Sequence, residues 1–292
     1  MAISAGDVKA LRDQTGAGMM ECKRALSDAD GDVEKAIELL RERGLSKAGK
    51  RAGRATSEGA VAVAIAGARA GLVELGCETD FVAKTDAFLA LAQSVADVVA
   101  ANPSLDGPAA VGAAKLGGTT VADTIQQTIA KVGENIELKR AQGVDVGKGV
   151  TGGYVHMGGK LGVVVGLATG ASGAAVEELA KDVAMHVAAA DPSPIAVDRD
   201  GVDADVVERE RRILTNQAKE SGKPDAVVEK MVSGRINKFF AEHCLLEQAF
   251  VKDPDTTIGK LVAKVAKDVG ADVAVASFVR FRIGEGGEAT EG

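Results

Sequence analysis

The apolar positions at the start of the chain recur with the spacing of α-helices. Four of them stand at i, i+3, i+4 and i+7 on one helix face: Val33, Ala36, Ile37 and Leu40. Gly44 is a typical helix stop, so this helix is predicted to end there. Ser4 and Asp7 have the spacing of a capping box at the start of an earlier helix. Three helices are therefore predicted over residues 1–46, in a unit so small that it needs support from a neighbour or a partner.

The middle of the chain alternates apolar and polar positions with the period of β-strands. Two hairpins are predicted on this pattern, over residues 61–77 and 150–167. Each is followed by a helical pattern, over residues 80–101 and 174–190. Because a hairpin followed by a helix occurs twice, the sequence predicts an α+β core of two related subdomains with antiparallel sheets.

Charged residues dominate two further helices that are separated by a break at Gly222-Lys223-Pro224. This pattern predicts an antiparallel helical hairpin that projects from the body, as a dimerisation arm or as a solvated excursion. A homodimer through this arm and a monomer both stay open. The predicted division of the chain is a helical unit over 1–46, a basic linker over 47–58, one core subdomain over 59–142, a second over 143–200 and 241–283, the arm over 201–240, and a disordered tail over 284–292.

The composition argues against nucleic acid as a direct partner. The 292 residues include 35 Lys and Arg against 42 Asp and Glu, which gives a net charge of −7. Proteins that bind nucleic acid usually present a basic surface. Seven Phe, one Tyr and no Trp also leave few rings on which bases could stack.

The cysteines and the N-terminal segment predict a cytoplasmic protein without membrane contact. Cys22, Cys77 and Cys244 lie far apart, which is typical of a reducing compartment without disulfides or structural zinc. The first residues lack the basic and apolar runs of a signal peptide. The longest uncharged stretch, Leu161–Val176, is shorter than the roughly 20 apolar residues of a membrane-spanning helix.

Motifs of enzyme chemistry are weak. The glycines 147, 149 and 152 match GxGxxG, but a strand pattern follows them, so a flexible loop is predicted. His156 ends a predicted strand and is expected at an exposed tip, while His186 lies on an apolar helix face. An enzyme that uses His156 or His186 stays open as an alternative, which a bound metal, a cofactor or turnover by the isolated chain would support.

The segment Thr79-Asp80-Phe81-Val82 predicts the start of a helix, with Thr79 or Asp80 as the N-cap. Phe81 stands one heptad before Phe88, which favours a core position for its ring. Its place in the first turn also allows the ring to project as an anchor for a partner. The pattern alone favours the core.

Two long motifs resemble those of the bacterial elongation factor Ts family: Thr15–Leu26 and Cys77–Lys84. Shorter matches follow in the order of the family: Lys131–Asn135, Gly153–His156, Ala184–Ala189, Ser221–Pro224 and Phe278–Phe281. Thr85 stands where the family usually has Asn, and the Gly143–Gly152 loop is expected to be longer than in relatives. The chain ends soon after Ile283, so a C-terminal helix with which some members contact the partner is expected to be missing.

The resemblance implies a guanine-nucleotide exchange factor for elongation factor Tu, GDP-bound or nucleotide-free, in translation elongation. It implies no enzyme activity and no cofactor or metal of its own, and a ubiquitin-associated-like (UBA-like) fold for the first helices. A non-catalytic adaptor that binds through the UBA-like unit alone is the second alternative. The residues that would dislodge Mg²⁺ from the partner are Thr79, Asp80, Phe81 and Val82, and those that would contact the partner are Arg12, Met19, Met20, Val132, Gly133 and His156.

Overall fold

A computed structural model describes residues 3–15, 17–51, 53–220 and 224–285, without the side chains of residues 45–50. Its mixture of helices and antiparallel sheets confirms the predicted α+β class. The helices are α1 (Ala5–Thr15), α2 (Met19–Asp28), α3 (Val33–Arg51), α4 (Asp80–Ala83), α5 (Asp86–Ala101), α6 (Gly107–Ala113), α7 (Val121–Val132), α8 (Ala174–Ala189), α9 (Ala204–Lys219), α10 (Asp225–His243) and α11 (Ile258–Val269). The strands are β1 (Glu58–Ala66), β2 (Arg69–Cys77), β3 (Lys115–Leu116), β4 (Thr119–Thr120), β5 (Ile136–Asp145), β6 (Gly149–His156), β7 (Leu161–Thr169), β8 (Ala249–Phe250), β9 (Asp253–Thr257) and β10 (Val273–Arg282).

Two three-stranded antiparallel sheets repeat the same arrangement. The first has the strand order β1-β2-β5, and the second has the order β6-β7-β10. In each sheet a hairpin comes first, and a strand from much later in the chain then pairs with the second strand of that hairpin. Both predicted hairpins are confirmed. The repeated order agrees with the predicted internal repeat.

The two sheets pack face to face. A glycine permits the close approach, since a Cβ added at Gly162 would lie 2.5 Å from Cγ1 of Val61 on the opposite sheet. Helix α5 covers the outer face of the first sheet, while α8 and α11 cover that of the second. The buried side chains between the sheets are Val61, Ala70, Leu72, Val144, Val164, Val279 and Phe281.

The expected helix end at Gly44 is wrong, because α3 continues to Arg51 through part of the predicted basic linker. Gly44 serves close packing instead, since a Cβ added there would lie 2.8 Å from Cβ of Ala130 in α7. Arg51 also donates from Nη1 to the carbonyl oxygen of Ile129 in α7, at 3.3 Å. Helix α7 therefore provides the support that the small N-terminal unit was predicted to need.

The helix predicted over residues 80–101 is broken into α4 and α5. Thr85 causes the break, because its Oγ1 accepts a hydrogen bond from the amide of Phe88 at 3.3 Å and so caps α5. The same hydroxyl donates to the carbonyl oxygen of Val82 at 2.8 Å, which closes α4 after one turn. Helix α4 is therefore a separate element.

The Gly143–Gly152 segment is also corrected. Most of it is strand, because β5 continues to Asp145 and β6 begins at Gly149. Residues 146–148 alone connect the two strands, with Gly147 at φ +59° in the turn. The expectation of a loop over the whole of this segment is therefore wrong.

Helices α9 and α10 form the predicted antiparallel hairpin. Their contact buries Ala218 of α9 against Val228 and Val232 of α10. Residues 221–223 of the predicted turn and residues 286–292 of the predicted tail lie outside the described residues. In the described part of the chain, none of the helices is long and apolar enough to cross a bilayer.

Candidate functional site

Phe81 has the most exposed of the large apolar side chains among the described residues, at 81% of its surface. The core position that the heptad spacing favoured is therefore wrong. The spacing from Phe81 to Phe88 has no meaning here, because the helix is interrupted between them. Ala83 is buried instead, and Val82 packs against the core of the first sheet. Helix α4 thus turns its apolar side inward and still presents a phenyl ring to solvent.

Thr79 holds the N-terminal end of α4. Its Oγ1 accepts a hydrogen bond from the amide of Val82 at 3.4 Å, and its carbonyl oxygen accepts one from the amide of Ala83 at 3.2 Å. Its own amide and hydroxyl both donate to the carboxylate of Glu134, at 3.0 and 2.6 Å. Thr79 is thus the N-cap of α4, and it is hydrogen-bonded to the segment that follows α7.

The segment after β2 also supplies a carboxylate, that of Glu78, to the segment after α7. Glu78 accepts a hydrogen bond from the amide of Asn135 at 2.6 Å. The side-chain amide of Asn135 donates in turn to the carbonyl oxygen of Arg54 at 2.9 Å. The end of β2 and the end of α7 are therefore joined by reciprocal hydrogen bonds to Glu78 and Glu134. Sequence reasoning missed both roles, although Glu134 lies within the Lys131–Asn135 motif.

Asp80 and Lys84 form an ion pair one helical turn apart on the surface of α4. Lys84 Nζ lies 2.6 Å from Asp80 Oδ2. The hydrogen bond from Lys84 lowers the pKa of Asp80, and the same bond raises the pKa of Lys84. Both side chains are exposed enough for water to screen them, so the pair adds little stability. It does place an ion pair beside Phe81 on the surface of α4.

The turn between β6 and β7 lies close to the strand ends that lead into α4. Gly159 in this turn accepts a hydrogen bond from the amide of Val61 in β1 at 2.7 Å. Lys160 is paired with Glu58, which stands opposite Cys77 in the β1–β2 register. The turn and α4 therefore lie on the same side of the molecule.

His156 is exposed at this turn, as predicted. Its Nδ1 lies 3.0 Å from the hydroxyl of Tyr154, and the two rings are stacked with their centroids 5.8 Å apart. Met157 follows with φ +51°, a left-handed conformation that is uncommon for a side chain of this kind. Its side chain is 73% exposed. An aromatic pair and a thioether are thus presented beside the α4 surface.

The thiol of Cys77 is buried at the end of β2, three residues before the start of α4. Its pKa is raised to about 11, first because the thiol is buried and then because the carboxylates of Glu134 and Glu58 are near. Lys160 acts in the opposite direction. Cys77 is therefore a protonated, buried thiol beneath the α4 segment.

The remaining predicted contact residues fall into two groups. Val132 and Gly133 end α7 directly before Glu134, and Gly133 has φ +87° at the C-cap. They are half-buried and belong to the same junction as α4. Arg12, Met19 and Met20 lie instead on α1 and α2, where Met19 is 44% and Met20 60% exposed.

His186, one of the two histidines of the enzyme alternative, is held within the fold. His186 is buried, and burial lowers its pKa. Its Nδ1 accepts a hydrogen bond from the amide of Val251 at 3.3 Å, and its Nε2 lies 3.0 Å from Oε1 of Gln248. Both ring nitrogens are therefore occupied within the fold. Among the described residues, no group of three or more His, Cys, Asp or Glu side chains is arranged to hold a metal ion.

Comparisons with known proteins agree with the fold. The family model described as Elongation factor TS matches residues 78–285. The chain is 47% identical to Elongation factor Ts of Rhodospirillum rubrum over 296 aligned positions, which cover 99% of this chain and 95% of that relative. It is 46% identical to Elongation factor Ts of Clostridium botulinum strain 657, with coverages of 99% and 95%, and to that of Maricaulis maris, with 98% and 93%.

These similarities place this α+β chain among the translation elongation factors. Within that class, the chain belongs to the elongation factor Ts family.

Proposed function

We propose that the chain is a guanine-nucleotide exchange factor for elongation factor Tu in the cytoplasm. It binds the GDP complex of that GTPase, dislodges Mg²⁺ and promotes the release of GDP, so that GTP can bind. It acts by protein–protein binding and makes or breaks no covalent bond. The observation that carries the proposal is the exposed ring of Phe81 on a one-turn helix that is fastened at its N-cap.

The segment Thr79–Val82 is proposed to act as a wedge near the nucleotide site of the partner. Burial of a Phe side chain is worth roughly 1.5–3 kcal/mol, and each 1.4 kcal/mol changes an equilibrium constant about tenfold. The helix turn is already ordered in the free chain, so little conformational entropy is lost on binding. Because Mg²⁺ neutralises phosphate charge in the GTPase, its displacement weakens the hold on GDP.

The other parts of the chain have supporting roles in this proposal. Val132, Gly133 and His156 contact the partner around the wedge. Arg12, Met19 and Met20 dock the UBA-like unit on the GTPase domain. The helical hairpin serves as an arm for dimerisation, and nucleic acid is not bound directly.

Stopped-flow release of fluorescent GDP from elongation factor Tu tests the proposal. We expect the native chain to accelerate release and Phe81→Ala to lose about tenfold or more of that acceleration. Ile195→Ala is the matched control, because Ile195 is also an exposed apolar residue but lies in the loop after α8. Equal acceleration by the native chain and Phe81→Ala would refute the wedge.

The adaptor is the second candidate, and the exposure of Met19 and Met20 favours it. An adaptor would bind its partner through α1 and α2 and would not need Phe81. Under that alternative, the double variant Met19→Ala/Met20→Ala abolishes binding and no acceleration of GDP release is seen with any variant. Acceleration by the native chain excludes it.

A further inference from the structure

We infer that Glu134 is a positioning residue for nucleotide exchange, because its carboxylate fixes the orientation of the helix turn that carries Phe81. The inference rests on the proposed function of Phe81 as a wedge. Glu134 contacts the N-cap residue of this helix turn. It acts through Thr79, which stands two residues before Phe81 in the chain.

The contact has the geometry of a clamp. One carboxylate oxygen of Glu134 accepts from the amide of Thr79 at 3.0 Å, and the other accepts from the Thr79 hydroxyl at 2.6 Å. Two hydrogen bonds from one residue to one charged acceptor fix both position and direction. Hydrogen bonds to an ionised carboxylate are also shorter and stronger than those between neutral groups.

Helix α4 depends on this contact because it is too short to be stable alone. It has four residues, from Asp80 to Ala83, and a single helical turn is not stable alone in water. Ala83 and Val82 attach its inner side to the core. The bonds from Thr79 to Glu134 attach its N-terminal end, so these two attachments together set the direction of the ring.

The position of Glu134 is itself determined by the fold. Gly133 ends α7 in the left-handed conformation, with φ +87°, and turns the chain toward β2. The amide of Asn135 then donates to Glu78 at 2.6 Å, which fixes the residue on the other side of Glu134. The carboxylate is thus presented from a junction that the turn at Gly133 and the hydrogen bond from Asn135 to Glu78 define.

The test is GDP release from elongation factor Tu, measured over a range of concentrations of the full-length chain. Glu134→Gln keeps the shape of the side chain, but it loses the charge and turns one oxygen into a donor that cannot accept from Thr79. We expect the maximal release rate to fall roughly tenfold, with little change in the concentration that gives half the maximal rate. Glu137→Gln is the matched control, since Glu137 accepts a side-chain hydrogen bond from Thr56 at 2.9 Å.

A double variant separates positioning from a structural role. In the Phe81→Ala background, Glu134→Gln should lower the release rate less than twofold further. Without the Phe81 ring, the orientation of α4 no longer affects release. Urea unfolding should show equal effects of Glu134→Gln in both backgrounds. Thr79→Val provides a second variant: it keeps the amide bond to Glu134 but loses the hydroxyl bond to Glu134 and the cap on the Val82 amide, so it should also lower the release rate.

The outcomes distinguish this inference from the proposed function. If Phe81→Ala is impaired while Glu134→Gln and Thr79→Val release GDP at the native rate, the wedge stands and the inference is wrong. Losses that multiply in the double variant would also overturn the inference. If Phe81→Ala equals the native chain, the wedge and the inference fall together.

Discussion

The side chain of Glu74 in β2 is only 3% exposed, and its carboxylate is paired with the guanidinium of Arg140 in β5. Arg140 Nε donates to Glu74 at 2.5 Å, and Nη2 donates to the carbonyl oxygen of Arg282 at 2.8 Å. The guanidinium also lies over the ring of Phe281, 4.4 Å from its centroid. Because Phe281 and Arg282 belong to β10, Arg140 connects the two sheets.

Loss of this guanidinium should destabilise the fold strongly. Arg140→Met leaves the carboxylate of Glu74 buried without its partner, and we expect a loss of about 3 kcal/mol in the free energy of unfolding. The double variant Glu74→Met/Arg140→Met should regain most of it, since no charge is left buried. Urea unfolding measures both. A double variant as unstable as Arg140→Met would contradict this account of the pair.

Two helical glycines should respond in opposite directions to alanine. At Gly234 in α10, an added Cβ meets nothing within 4 Å, so Gly234→Ala should raise the free energy of unfolding by about 0.5–1 kcal/mol. At Gly44 in α3, the added Cβ would lie 2.8 Å from Cβ of Ala130. Gly44→Ala should therefore cost about 1–3 kcal/mol through separation of α3 from α7.

Thermal unfolding of the two glycine variants, side by side, provides the comparison. Stabilisation by Gly44→Ala as large as that by Gly234→Ala would show that α3 does not pack closely on α7. The N-terminal helices would then be less firmly attached than the structure indicates.

His186 should make stability depend on pH. Burial lowers its pKa in the folded chain below the ordinary value of 6.5, while the hydrogen bond with Gln248 acts in the opposite direction. The unfolded chain then binds more protons between the two pKa values, so stability rises with pH in that interval. The contribution is complete above about pH 6.5, and it is lost as the pH falls toward the folded pKa.

Urea unfolding of the native chain and His186→Gln, each between pH 5 and 8, measures this contribution. We expect the native chain to lose stability below pH 6.5 more steeply than the variant, which has no imidazole to protonate. Parallel pH profiles of the two chains would contradict the assignment to His186.

Much of the fold follows from local sequence signals. Ser4 and Asp7 form the predicted capping box, with the Asp7 amide donating to Ser4 Oγ at 3.1 Å and the Ser4 amide to Asp7 at 3.0 Å. Both hairpins were predictable because their alternation lies within a few consecutive residues. The packing role of Gly44 does not follow from local signals, because its packing partner, Ala130, is distant in the sequence.

The candidate site around α4 follows less well from the pattern of hydrophobic and polar residues. The heptad spacing predicts a core position for Phe81, but the cap at Thr85 interrupts the helix on which that spacing depends. Thr79 and Glu134 are 55 positions apart, and no spacing rule connects residues that meet through the fold of a sheet. The resemblance to the family identified the segment, whereas the structure shows how it is held.

The proposed exchange activity requires the chain to bind the nucleotide-free form of elongation factor Tu more tightly than the GDP complex, and titration calorimetry measures this preference. The affinity of the chain is measured for elongation factor Tu with and without GDP, and the affinity of elongation factor Tu for GDP is measured with and without the chain. We expect tighter binding to the nucleotide-free form, with GDP and the chain weakening each other by the same factor. Equal affinity of the chain for both forms would contradict the proposed exchange activity, because a ligand that binds two states equally shifts neither.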